Sequence, residues 1–152
     1  MILVDTNVWS EAFRSQPDNN VRDWAARNAS QMWLSTVVIG ELLSGAHRLP
    51  EGKRKNGFLG AYDNLIRMHA NRIALFDLPA SLHYGPVLAF QEKAGRDPGT
   101  ADTQIAATAM SRGMALATRN IKDFEGLGIE LINPWAAQPP ESPNNRTHTP
   151  AR

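Results

Sequence analysis

Short apolar runs that alternate with longer helical patterns constrain the fold of this chain more than any other feature. Five runs have the length of buried strands, namely Ile2–Val4, Met32–Leu34, Ile73–Phe76, Met114–Ala117 and Ile129–Ile132. Between them, apolar residues recur at spacings of three and four, which is typical of amphipathic helices. Strands separated by helices predict an α/β domain with a central, mostly parallel sheet of about four to five strands flanked by helices.

The predicted helices have recognisable beginnings and ends. They cover residues 20–27, a segment from a Ser35 or Thr36 cap to about residue 48, and residues 53–69, 78–93 and 101–112. Gly113 follows the last of these at the position where a left-handed residue commonly ends a helix. In a sheet of this kind, ligands bind outside the carboxyl ends of the strands. Candidate functional residues are therefore sought at strand ends.

The composition changes at one point only, near the C-terminus. Residues 136–152 are rich in proline and polar residues and have no apolar period, whereas residues 1–135 carry the alternating pattern. A segment of that composition cannot bury enough apolar surface to offset the entropy of ordering. We expect one domain over residues 1–135, followed by a disordered tail.

Several classes of protein are excluded or disfavoured by composition. The chain has 152 residues and no cysteine, which excludes disulfides, thiolate catalysis and cysteine-ligated metals. It has no apolar run of membrane-spanning length, and its first residues do not resemble a signal peptide. These features predict a cytoplasmic protein without a membrane association. A formal net charge of +1 does not by itself indicate a nucleic-acid partner.

Three candidate polar residues follow predicted strands directly. Asp5 comes after Ile2–Val4, while Asn120 and Asp123 come shortly after Met114–Ala117. Each also has an ordinary structural explanation, because aspartate and asparagine cap helices and begin turns, and an acidic residue three places after a cap is common. Their shared place at strand ends makes a role at the carboxyl edge of the sheet the alternative hypothesis.

Two further carboxylates lie within predicted helices, on faces that are not polar. Glu41 is surrounded by apolar residues and glycine, and a carboxylate buried there is costly unless it is paired or bound to a cation. It could equally reach solvent or pair with Arg48. Asp102 lies in the first turn of its helix, where it complements the helix dipole, but its neighbours at i+3 and i+7 are apolar. No constellation of histidine, cysteine or serine competes with these acids.

These residues carry a resemblance to a known family. The N-terminal segment 1–11, the helical segment 39–42, the segment 100–109 and the segments 117–120 and 123–124 look like the successive motifs of PIN domains. The closing segment 132–135 is similar to the end of VapC and FitB-like toxins. The resemblance covers residues 1–135, and the four motifs occur in order.

The resemblance implies a PIN-like fold and a Mg²⁺- or Mn²⁺-dependent endoribonuclease, the toxin of a toxin–antitoxin pair. Asp5, Glu41 and Asp102 match the acidic positions of the family and are the expected metal ligands. The fourth position departs from the pattern, because Asn120 stands where some relatives have aspartate, so that Asp123 is a second candidate for it. The implied partners are RNA, a cognate antitoxin and a second copy of the chain, with DNA bound only through the antitoxin complex.

Two alternatives remain open from the sequence. The same acids could serve a metal-dependent phosphatase or a nuclease for DNA, or the chain could act mainly as a subunit of an autoregulatory DNA-binding complex. No DNA-binding motif is readable in the chain, so DNA contact would come from the partner. Candidate phosphate contacts are scattered basic residues, namely Arg14, Arg48, Lys53, Arg54, Lys55, Arg96 and Arg119.

Overall fold

The computed structural model describes residues 1–136, so the predicted tail lies outside the described residues apart from Ala136. A five-stranded sheet forms its centre, in the order β3-β2-β1-β4-β5, and every neighbouring pair is parallel. The strands are β1 Ile2–Val4, β2 Met32–Ser35, β3 Ile73–Ala74, β4 Ala115–Ala117 and β5 Leu131–Ile132. The predicted α/β class and the parallel sheet are confirmed.

Seven helices connect these strands within the described residues. They are α1 Thr6–Ala12, α2 Asn19–Asn28, α3 Thr36–His47, α4 Lys53–Met68, α5 Leu78–Lys93, α6 Thr100–Arg112 and α7 Ile121–Phe124. The five helices predicted in the sequence agree with α2 to α6 to within about one residue. The short helices α1 and α7 were not predicted as elements, because four to seven residues are too few to show a periodic apolar face.

Local chemistry fixes several of the helix ends. The Ser35 hydroxyl accepts a hydrogen bond from the Val38 amide at 3.1 Å, and Asp77 caps α5 in the same way through the Ala80 amide at 3.2 Å. Gly113 ends α6 in the left-handed conformation, with φ at 60°. A residue with a Cβ is strained in that conformation, so the glycine predicted to end this helix is required by backbone geometry.

The two central strands form the floor of the core. Leu3 and Val4 of β1 and Leu116 of β4 are fully buried. Both of these strands therefore read as continuous apolar runs rather than alternating ones, as expected for strands covered on both faces. Ile105 of α6 and Phe124 of α7 are also fully buried and belong to the same core.

The structure also corrects details of the sequence interpretation. Strands β3 and β5 have only two residues each, which is shorter than the apolar runs that contain them. Among the tryptophans, Trp9 and Trp24 are buried core residues, and Trp33 is half-buried and packs against the core. Short strands at both edges leave few unpaired backbone groups for pairing with another sheet. No helix in residues 1–136 is long and apolar enough to cross a membrane.

Candidate active site

The carboxyl ends of β1 and β4 meet at one edge of the sheet, and Asp5 lies there. It directly follows β1, and its amide donates to the Ala117 carbonyl at 2.9 Å, which continues the pairing of the two central strands by one residue. The side chain is buried, with only 3% of its surface exposed. The parallel sheet thereby places a carboxylate at the position where ligands bind in such folds.

Three donors hold the Asp5 carboxylate in place. One oxygen accepts from the Thr6 amide at 2.7 Å, so Asp5 caps α1 as the structural explanation required. The other accepts from the Thr118 hydroxyl at 2.7 Å and from the side-chain Nδ2 of Asn7 at 3.0 Å. Burial raises the pKa of Asp5 in spite of these hydrogen bonds, and the nearby Glu41 charge adds to the rise. Capping and a place in the acidic cluster are therefore compatible roles.

Thr118 and Asn7 connect the segment after β4 to the beginning of α1. The fully buried Thr118 hydroxyl also accepts from the backbone amide of Asn120 at 3.0 Å. The side-chain oxygen of Asn7 accepts from the backbone amide of Arg119 at 3.2 Å. Every one of these bonds joins residues that are close to the edge of the sheet. Together they fix the position of Asp5 relative to the β4–α7 segment.

Glu41 approaches the same edge from α3. It accepts a hydrogen bond from the Thr6 hydroxyl, and its side chain is partly buried. No ion pair to Arg48 is present among the described residues, so the expected structural partner of Glu41 is replaced by Thr6. The hydroxyl joins the beginning of α1 to the middle of α3, and the Glu41 charge is close enough to affect both Asp5 and Asp102.

Asp102 approaches from the first turn of α6, and it has the strongest electrostatic signature of the cluster. Its pKa is raised to about 6 by burial first, and then by the charges of Asp5, Glu41 and Asp123. Its carboxylate accepts no hydrogen bond from any residue in the range 1–136. The favourable helix dipole at this position is therefore outweighed by burial and by three negative neighbours.

Asn120 and Asp123 are separated by the structure. Asn120 is exposed and precedes α7 as its cap residue, but its side chain makes no capping hydrogen bond. Asp123 is partly buried, and its charge contributes to the raised pKa of Asp102. The structure thus brings Asp123 electrostatically into the acidic cluster, whereas Asn120 contributes its backbone amide to Thr118.

A glutamine that the sequence interpretation did not identify connects two of these acids. Gln91 of α5 is fully buried; its Nε2 donates to the Asp123 carbonyl at 3.0 Å, and its Oε1 accepts from the Thr103 hydroxyl at 3.1 Å. Thr103 directly follows Asp102. One side chain therefore links α5, α6 and α7 through the residue next to Asp102 and the backbone of Asp123. In the sequence, the feature that could have identified Gln91 is its place four residues after Val87, because a polar residue on an apolar helix face needs a buried partner.

The side chains at this edge of the sheet meet the requirements of a hydrated divalent cation. Within residues 1–136, no three histidine, cysteine or acidic side chains converge tightly enough to enclose a metal ion by themselves. Mg²⁺ does not need such a cage, because it keeps several waters and is commonly held by one or two carboxylates. The side chains here offer oxygen atoms alone, and burial together with their mutual charges raises the pKa of Asp102. This chemistry fits a hydrated Mg²⁺ or Mn²⁺ ion.

The basic candidates have different surroundings. Arg48 lines a groove of about 510 Å³ that runs beside Glu41, between α3 and the beginning of α6. Lys55 is buried and pairs with Glu51, and Arg96 donates to the Glu125 carbonyl at 2.7 Å. Arg119 lies over the Trp135 ring, 5.2 Å from its centroid. Lys55 and Arg96 thus have structural partners, while Arg48 faces open space near the acids.

Comparisons with known proteins identify the family of this fold. A PIN domain family model matches residues 2–128. The VapC ribonuclease Y4jK of Sinorhizobium fredii is 38% identical over 89% of this chain and 98% of its own length. Toxin FitB of Neisseria gonorrhoeae is 34% identical over 89% and 99%. A chain in the solved structure of FitAB bound to an IR36 DNA fragment superposes with a TM-score of 0.84, at 33% identity over 91% of this chain and 98% of that one.

Proposed function

Because this chain belongs to the PIN-domain family, we propose that it is the toxin of a toxin–antitoxin pair and acts as a metal-dependent endoribonuclease. The observation that carries the proposal is the cluster of Asp5, Glu41, Asp102 and Asp123 at the carboxyl edge of the sheet. There burial, and then the charges of the other three acids, raise the pKa of Asp102 to about 6. A protein keeps carboxylates in such mutually unfavourable positions where a cation or a reaction needs them. The PIN-type relatives named as a ribonuclease and as a toxin support the choice of reaction.

In this proposal, Asp5 and Asp102 are the main metal ligands, and Glu41 is a third. A bound Mg²⁺ or Mn²⁺ ion would supply an activated water and neutralise the charge of the phosphodiester. Asp123 is favoured over Asn120 for the fourth acidic position, because its charge affects Asp102.

The chain's own residues prepare the site for an anionic substrate. Thr118, Asn7 and the Thr6 amide direct both oxygens of Asp5, and the Thr6 hydroxyl holds Glu41 at the same edge. These contacts fix the carboxylates before a ligand binds, which lowers the cost of ordering them later. Arg48, in the groove beside Glu41, is the candidate to contact a phosphate on the substrate strand.

The test compares the wild type with Asp5→Asn and uses three substrates. Asparagine also caps helices well, so this variant retains the α1 cap, removes the charge and replaces the oxygen that accepts from Thr118 and Asn7 by an NH2 group. Purified protein is incubated with RNA, single-stranded DNA or a generic phosphomonoester, with Mg²⁺ or with EDTA. We expect RNA cleavage that requires the metal and is lost in Asp5→Asn. Retained Mg²⁺-dependent cleavage by the variant, or activity on the phosphomonoester or DNA alone, would contradict the proposal.

We propose the same partners for this chain that its relatives suggest. FitB is named a toxin, and a similar chain occurs in the FitAB complex on DNA. A cognate antitoxin is therefore expected to bind this chain, to block the acidic cluster and to contact promoter DNA. The proposal places the protein in the cytoplasm, where cellular RNA is used. A gel-shift assay with and without the product of the neighbouring reading frame checks the DNA contact, and light scattering checks the expected homodimer.

A further inference from the structure

A second concave surface, distinct from the acidic cluster, lies between the end of α1, the loop after it and α4. We name it the aromatic–arginine groove. It has a volume of about 720 Å³ and is lined by Phe13, Arg14, Arg54, Phe58 and Tyr62, together with hydroxyl and amide groups of the α1–α2 region. None of the described residues that line it carries a carboxylate. The groove therefore combines flat aromatic groups with positive charge.

The aromatic side chains pack on one another and form a fixed platform. The Phe13 and Tyr62 rings meet edge to face, with centroids 5.1 Å apart, and Phe58 lies 5.8 Å from Tyr62. Tyr62 is buried, whereas Phe13 and Phe58 are half-buried and keep part of their surface open. The Arg54 guanidinium lies over the Phe58 ring, 5.9 Å from its centroid. Such a platform offers both a stacking surface and a cation beside it.

Arg14 is held in place by a buried carboxylate behind it. Glu11 has 5% of its surface exposed; one oxygen pairs with Arg14 Nη1 at 3.2 Å, and the other accepts from the Asp18 amide at 2.9 Å. The same side chain thus fixes the loop that forms one wall of the groove. Arg14 itself is 66% exposed, so most of its guanidinium faces solvent. Glu11 neutralises part of its charge and fixes its direction.

We propose that the aromatic–arginine groove binds an unpaired stretch of the RNA strand that is cleaved at the acidic cluster. This inference rests on the proposed ribonuclease function. Helix α1 begins at the Asp5 cap and ends beside the groove, and its seven residues span about 10 Å. A strand in the active site therefore reaches the groove within a few nucleotides. Arg14 and Arg54 contact phosphates, and a base packs on the part of the Phe58 ring that Arg54 and Tyr62 leave open.

The chemistry of the groove favours RNA over a segment of the antitoxin. A helical peptide is usually held by a continuous apolar groove that accepts side chains at helical spacing. Here the aromatic edges alternate with two guanidinium groups and with hydroxyls, which is the combination that binds unpaired nucleic acid without strict sequence preference. The groove also lies at the end of α1, and Asp5 caps the other end of that helix.

The test is a binding measurement on variants of the groove. In the Asp5→Asn background with Mg²⁺, the Arg14→Ala/Arg54→Ala double variant and Phe58→Leu are compared by fluorescence anisotropy with a labelled, unstructured RNA oligonucleotide. The matched control is Arg27→Ala/Arg67→Ala, which removes two exposed positive charges outside the groove, one from α2 and one from α4. We expect about tenfold weaker binding for the arginine pair, and a salt dependence of log K that is shallower by about 1.4 for two lost phosphate contacts.

Cleavage kinetics with intact Asp5 provide the second readout. The Arg14→Ala/Arg54→Ala variant should have a higher KM and a nearly unchanged kcat, because the groove binds the substrate and the transition state alike. Unchanged RNA affinity, or an equal loss in the control, would overturn the proposal. Loss of antitoxin binding without loss of RNA binding would overturn it in favour of a peptide site. Wild-type cleavage of the same RNA is measured separately, so that a failure of the proposed ribonuclease function can be distinguished from a failure of the groove to bind RNA.

Discussion

Replacing Asp102 by asparagine should stabilise the metal-free protein while it abolishes the proposed activity. The pKa of Asp102 is raised from 3.8 to about 6 in the folded state. At 1.36 kcal/mol for each pKa unit, this corresponds to at most about 3 kcal/mol of unfavourable interaction for the ionised group. Because Asp102 is partly open to solvent, screening reduces the expected gain to about 1–2 kcal/mol. Asparagine has nearly the same shape and no charge, so the packing should be retained.

The direction of the pH dependence follows from linkage. Between pH 4 and 6 the folded protein binds more protons at Asp102 than the unfolded chain does, so the stability of the wild type falls as the pH rises through this window. The Asp102→Asn variant has no group that titrates at this position, so it does not lose stability in this way. The difference in the free energy of unfolding should therefore be near zero at pH 4 and complete above pH 7.

The assay is chemical and thermal unfolding in EDTA at several pH values. At pH 7.5, Asp102→Asn should melt about 3–6 °C above the wild type for a chain of this length. Adding Mg²⁺ should stabilise the wild type by mass action but not the variant, so the difference should shrink or reverse. The exposed Asp23 on α2 gives a matched control, since Asp23→Asn should change little. A variant less stable than the wild type at pH 7.5, or a difference that does not depend on pH, would refute the electrostatic reasoning.

Three further predictions concern the groups around the acids. Asp123→Asn should reduce the rate of RNA cleavage at least about tenfold, and Asn120→Ala should reduce it much less. Equal losses of rate in the two variants would reject Asp123 as the fourth acid. Thr118→Val should destabilise the fold by about 1–3 kcal/mol and weaken Mg²⁺ binding, because it removes one of the three donors to the buried Asp5 carboxylate. Thr118→Ser should retain both the stability and the Mg²⁺ affinity in calorimetry. Gln91→Met should keep the side-chain volume, lower the free energy of unfolding in urea by about 1–3 kcal/mol and weaken Mg²⁺ binding. An unchanged Mg²⁺ affinity would show that this glutamine is purely structural.

Much of the fold could be predicted from the sequence, because its determinants are local. The apolar runs of β1 and β4 report burial on both faces, and the helical periods of α2 to α6 report one buried face each. Gly113 could be predicted to end α6 because a left-handed residue is favoured there. The short elements α1 and α7 could not be predicted, since a helix of one or two turns has no period to read.

The acidic cluster was predictable residue by residue, but its organisation was not. Asp5 follows a strand, and strand ends meet at one edge, so its place could be inferred from sequence alone. Asp123 and Asn120 have the same local explanation as capping residues, and only the packing of α7 against α5 and α6 places the Asp123 charge beside Asp102. Gln91 shows the same limit, because its partners Thr103 and Asp123 lie 12 and 32 residues away along the chain.

The sequence by itself therefore determined the strand–helix alternation, the helix ends and the identity of the candidate acids, since each depends on residues that are neighbours along the chain. Only the tertiary structure decided which acids influence one another and which buried side chains hold them. It also brought Arg14 and Arg54 to one groove, although 40 residues separate them. The physical reason is that pKa shifts and buried hydrogen bonds depend on distances through space, which the crossing of the helices sets.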